Sequence, residues 1–158
     1  MTTTYKEYKD AKQEEFNALP LFWAFSEEQL KEQLEKRGYK LEDAKEVLYR
    51  YPMGGFYLKK DKQIIIDYHK GVEGRAQELH DMLENDPEFA RDAFEYEMYD
   101  HEYPINWQGD WDVVSCFGNV AYSEEKNGAA YLRELGFSDK VILIYREAAR
   151  KVCKDDIW

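Results

Sequence analysis

Residues 61–85, DKQIIIDYHKGVEGRAQELHDMLEN, can be read in two ways, and the choice sets the fold class. QIIIDYH at 63–69 has the β-branched run of a strand and would pair as a hairpin with FYLKK at 56–60. Against that, Ile65, Tyr68, Val72, Ala76, Leu79 and Leu83 recur at helical spacing across most of the stretch. Gly71 and Gly74 each weaken such a helix by about 1 kcal/mol. The longer periodicity favours a helix with Asp61 as its cap. A second hairpin strand over 61–70 stays open as the alternative.

The flanks read as mostly helical, with short extended pieces. Residues 3–18 carry Tyr5, Tyr8, Ala11, Glu15 and Phe16 at a loose helical spacing that Pro20 ends. LFWAF at 21–25 is apolar and predicts a short buried, extended piece. SEEQ at 26–29 has the form of a capping box, and Gly38 stops the helix that follows. LEDAKEVLYRY at 41–51 predicts another short helix, closed before Pro52. PMGGFYLKK predicts a turn into a short strand.

Asp86-Pro87 is a sharp helix start, a good N-cap followed by proline at the first helical position. That helix should reach about Tyr103, where Pro104 stops it. A loop, one short helix, and helices over 124–135 and from Ser138 onward complete the chain. The expectation is a single mainly α domain over 1–158, of about six helices, with at most a small β element near 54–60.

Apolar residues make up 44% of the 158, enough for a core without disulfide staples. Two cysteines, Cys116 and Cys153, are too few for a disulfide framework and predict a reducing compartment. No signal-like segment opens the sequence, and its apolar runs are far shorter than the roughly 20 residues that span a bilayer. A cytoplasmic protein without membrane contact is expected.

The net charge of −11 is concentrated. Residues 78–112 hold twelve acids and one base, Arg91, while the other 21 acids and 21 bases cancel. Phosphate contacts need a basic patch, so direct nucleic-acid binding is not expected. A basic protein surface is the natural complement. At about 100° per residue, Glu88, Asp92, Glu95 and Glu102 share a sector of about 80° that also holds Tyr99. A mixed solubilising face would alternate lysine with glutamate. This one does not, and tyrosine is a residue that interfaces favour. The five residues form a candidate protein-binding face, with a merely solvated surface as the competing reading.

Glu97 and His101 fall instead in the apolar sector, four residues apart, where their side chains can meet. Such a pair could be half of a metal site or an acid/base pair. Two ligands do not make a site, and Cys116 has no evident base partner in the sequence. The preferred reading is a buried polar pair, mostly hidden from solvent, with no metal, no cofactor and no catalytic residue. Sequence signatures for dinucleotides, nucleoside triphosphates and nucleophilic serine are missing.

EFNALPLFWAFSEEQL, GGFYLKKD and FEYEMYDHEY, in that order, resemble an uncharacterised family of small acidic proteins from gut bacteria and their mobile elements or phages. The resemblance spans about residues 14 to 103 and implies a helix over 61–85. It carries no established activity. It implies a mobile-element setting, in which small acidic proteins block host nucleic-acid-binding proteins. The leading expectation is a non-enzymatic inhibitor whose acidic face occupies the basic groove of a host defence protein in place of DNA. A metal-binding protein or hydrolase centred on Glu97 and His101 is one alternative, and a housekeeping accessory protein is another.

Overall fold

The computed structural model describes residues 3–155. In chain order the elements are α1 (Tyr5–Asn17), β1 (Phe22–Trp23), α2 (Glu27–Lys36), α3 (Ala44–Val47), β2 (Leu48–Tyr51), β3 (Gly55–Leu58), α4 (Lys62–Lys70), α5 (Val72–Asn85), α6 (Pro87–Asp100), α7 (Gly109–Val114), α8 (Gly128–Glu134) and α9 (Asp139–Asp155). Three 3-10 turns, at Leu41–Asp43, Lys59–Asp61 and Tyr103–Ile105, link some of them. The fold is mainly α with one small antiparallel sheet, as the sequence predicts. Among the described residues no helix is long and apolar enough to cross a membrane.

Two compact units make up the chain: residues 12–72, and residues 1–11 together with 73–158. In the first, the sheet has the order β1-β3-β2. Residues 41–51 are not one helix. A 3-10 turn and α3 give way at Leu48 to β2, which pairs Tyr49 with Tyr57 and Arg50 with Phe56. Alternating tyrosines suit a pleated surface, and cross-strand pairing overrides the local helical spacing. The Tyr49 and Tyr57 rings lie 5.6 Å apart. The turn between the strands needs positive φ at Met53 and Gly54, which Gly54 adopts without steric cost. LFWAF contributes β1, with Phe22 buried under the Arg37 guanidinium, 3.8 Å from the ring centre. Phe25, however, is exposed.

The deciding stretch is helical. α4 starts after Asp61 and buries Ile65, and Gly71 separates it from α5. The Asp61 side chain makes no capping bond. Ser26 does cap α2, accepting from Gln29 N at 3.1 Å, while the Gln29 side chain accepts from Phe25 N rather than from Ser26 N.

The larger unit is built on α6 and α9. α6 buries Phe89, Ala90, Ala93, Phe94 and Met98, and α9 buries Val141, Ile142, Ile144, Tyr145, Ala148 and Val152. The Phe94 ring meets the edges of Phe117 and Tyr145 at 5.1 and 5.2 Å. Asp86 caps α6 as its sequence predicts, accepting from Phe89 N at 3.0 Å. The helix stops at Asp100, three residues short of expectation, because Glu102 takes a left-handed conformation with φ 52°. Gly128 opens α8 where any side chain would overlap the Tyr145 ring.

Candidate functional site

Glu97 sits on the buried stripe of α6, one turn after Phe94, and is 1% exposed. A carboxylate there must find donors or lose its charge. α1 supplies two from a single face, at i and i+4. The Tyr5 hydroxyl and the Lys9 ammonium each donate to Glu97 Oε1 at 2.7 Å. Asp92 holds α1 in place for this, accepting from the Tyr5 backbone N at 2.7 Å. It satisfies one of the four amide groups that a helix start leaves without partners.

The other oxygen, Oε2, faces two further groups. His101 Nε2 lies 3.4 Å away, and the Cys116 thiol donates across 3.4 Å. Sγ and Nε2 are themselves 3.5 Å apart. Cys116 follows α7, and the Asp112 carbonyl, 3.3 Å from Sγ, is a second acceptor within reach of its single S–H. Glu97, His101 and Cys116 therefore converge as one cluster of possible metal ligands. The sequence hides this because Cys116 lies nineteen residues beyond Glu97 on another element. Only the fold makes His101 and Glu97 its partners.

The electrostatics follow from burial and pairing. Burial pushes the Glu97 carboxyl up, but Lys9 and Tyr5 outweigh it and hold it below the usual carboxylate range. Burial, and then Glu97, push the Tyr5 phenol well up, so it stays a donor. The Cys116 thiol is pushed up to about 12 by burial and by the Glu97 charge.

The polar pair thus differs from the expectation in one respect. Glu97 is buried and touches His101, but the His101 side chain is 32% exposed. His101 is the C-cap of α6, so its ring leaves the helix at the rim of the site. The Lys9 ammonium lies closer to Glu97, at 2.7 Å, than His101 does at 3.4 Å.

The acidic face also changes. Glu88 and Asp92 are exposed on α6, but Asp92 is the anchor of α1. The Glu95 side chain is only 16% exposed and pairs with Lys151 at 3.0 Å, while its Oε1 is buried without a partner. The Tyr99 hydroxyl donates to Asp155 at 2.7 Å. Glu102 lies beyond the helix and so does not share the helical face of Glu88, Asp92 and Glu95. Exposed acids outside that set include Asp81 and Asp100. The exposed Ile105 and Trp107 follow Glu102 in the chain.

A second polar knot went unseen in the sequence. Asp110 Oδ1 accepts from the hydroxyls of Tyr103 at 2.7 Å and Tyr145 at 2.6 Å. It joins the turn after α6 to α7 and α9, and Gly128 backs it. No spacing signal could reveal a carboxylate shared by tyrosines seven and thirty-five residues away.

A family model matches residues 4–130, and the chain belongs to that family, a family of unknown function (DUF7659). No curated protein and no solved structure matches the chain.

Proposed function

We propose that this protein is a non-enzymatic binding protein whose acidic unit docks on a basic protein surface. One observation carries the reading. Residues 1–11 and 73–158 hold twenty-two acids against eleven bases, whereas residues 12–72 hold eleven of each. All of the net charge therefore belongs to one unit. Charge concentrated in this way steers a basic partner from a distance and raises the association rate.

The contact set shifts from the one read along the helix. Asp92 and Glu95 serve the scaffold, as their bonds to Tyr5 and Lys151 indicate. Asp81, Glu88, Asp100 and Glu102 are among the exposed carboxylates that remain for a partner. Ile105 and Trp107 are 82% and 79% exposed and supply apolar anchors of the kind interfaces use beside a charged rim. The mobile-element setting implied by the resemblance makes the partner a host nucleic-acid-binding defence protein, whose groove is basic because it holds phosphates.

The test is a pull-down from host lysate at low and at high salt, with the wild type beside an Asp81→Lys/Glu88→Lys/Glu102→Lys variant. The expected result is a partner set that weakens above physiological salt, where the screening length falls below about 8 Å, and that the variant does not capture. Identical partners with both proteins at both salts would reduce the acidic surface to a solubilising one.

A further inference from the structure

We propose that Glu97, His101 and Cys116 form a binding site for zinc, with three protein ligands and the fourth position left for water. The inference stands on ligand geometry and is independent of partner binding.

The three atoms that face one another, Glu97 Oε2, His101 Nε2 and Cys116 Sγ, form a triangle with sides of 3.4, 3.4 and 3.5 Å. Zinc bonds of about 2.3 Å to sulfur and about 2.0–2.2 Å to nitrogen and oxygen, at tetrahedral angles, separate their ligands by about 3.3–3.6 Å. The ligand atoms thus already stand at three corners of a zinc-sized tetrahedron. Thiolate, imidazole and carboxylate together suit a borderline-soft ion such as zinc, and disfavour magnesium or calcium, which take oxygen donors.

The surroundings fit the same reading. Tyr5 and Lys9 both hold Glu97 Oε1, which leaves Oε2 as the oxygen turned towards the nitrogen and sulfur. Outer partners of this kind orient a ligating carboxylate. His101 and Cys116 are both partly exposed, which gives an ion and a water a route of approach. A further oxygen, Asp100 Oδ2, lies 4.0 Å from His101 Nε2. On binding, the Cys116 thiol gives its proton to solvent and its sulfur pair to the metal, while His101 binds through the lone pair of an Nε2 that carries no proton. With Lys9 still paired to Glu97, the carboxylate and the thiolate leave the loaded site with one net positive charge, which the −11 of this unit offsets as it favours cation entry.

The test uses the whole chain, stripped of metal by a chelator and then titrated with zinc by equilibrium dialysis and with cobalt(II) by absorption. The proposal expects one equivalent bound, a thiolate-to-cobalt charge-transfer band, and the intense visible bands of four-coordinate cobalt. Cys116→Ser should abolish the charge-transfer band, while Cys153→Ser leaves it intact. Tyr5→Phe should keep the band but weaken zinc affinity about 10–100-fold, as loss of an outer partner does. Failure of the wild type to bind one equivalent, a weak six-coordinate spectrum without the thiolate band, or a band that disappears in Cys153→Ser rather than Cys116→Ser would each overturn it.

Discussion

The two units of this protein differ in both core and charge. Among the described residues, the unit of 1–11 and 73–158 buries a cluster of twenty-one apolar side chains. Residues 12–72 bury only Phe22, Leu34, Leu58 and Ile65 and leave Phe25, Met53 and Ile64 exposed. The well-packed unit carries the whole −11, and the lightly packed one is neutral. Net charge works against a compact state by self-repulsion, and apolar burial offsets it. The larger core offsets the self-repulsion of the acidic unit, whereas the neutral unit stands on a small sheet and a few buried anchors.

The largest effect belongs to the larger core. Phe94→Ala should cost about 3–5 kcal/mol, because the ring is fully buried between Phe117 and Tyr145. Denaturant melts check this. A loss below 1 kcal/mol would mean that the cluster is not what stabilises the acidic unit.

Next in size is the buried carboxylate. Lys9→Met leaves Glu97 buried beside a neutral side chain, and breaking such a pair costs about 3 kcal/mol, at the low end because the lysine is partly exposed. His101→Ala should cost only about 0.2–1 kcal/mol, the size of an exposed pair. Equal losses would restore His101 as the main partner.

A pH series of melts, run with a chelator present, sharpens the same point. Glu97 has a depressed folded value, so its contribution is complete above the unfolded carboxylate value of about 4.3 and is lost as pH falls below it. Cys116 has a raised value, so its contribution is complete below the unfolded thiol value of about 8.5 and declines as pH rises from there towards about 12. Lys9→Met should flatten the acid limb and Cys116→Ser the alkaline limb.

The smallest effect belongs to the neutral unit. Phe25→Ser should change stability by no more than about 0.5 kcal/mol, because the ring is 75% exposed. A larger loss would show that the small core relies on it.

How much of this was legible in the sequence follows the range of the interactions. Local signals read well: Ser26, Asp86-Pro87, Gly38 and the periodicity of 61–85 act within a few residues and appear as helix caps, stops and spacing. β2 did not, because pairing with β3 selects the strand and 48–51 has acceptable helical spacing by itself. Glu97 could be placed on a buried stripe by the wheel. Its partners Tyr5 and Lys9 are ninety-two and eighty-eight residues distant, and Cys116 is nineteen, so no periodicity connects them. The acidic concentration was plain from counting. Which acids are committed to internal bonds is a property of tertiary contact, and Asp92 and Glu95 became scaffold for that reason.

Binding is proposed to reside in the acidic unit because its charge is unbalanced. The direct measurement compares two reversals of equal size. One is Asp81→Lys/Glu88→Lys/Glu102→Lys in the acidic unit, and the other is Glu32→Lys/Glu42→Lys/Glu46→Lys at exposed positions of the neutral unit. Partner capture by each is quantified against wild type at physiological salt. The first reversal is expected to abolish capture and the second to leave it near the wild-type level. Equal loss from both would mean that only total charge matters, and unchanged capture by the first would contradict the claim outright.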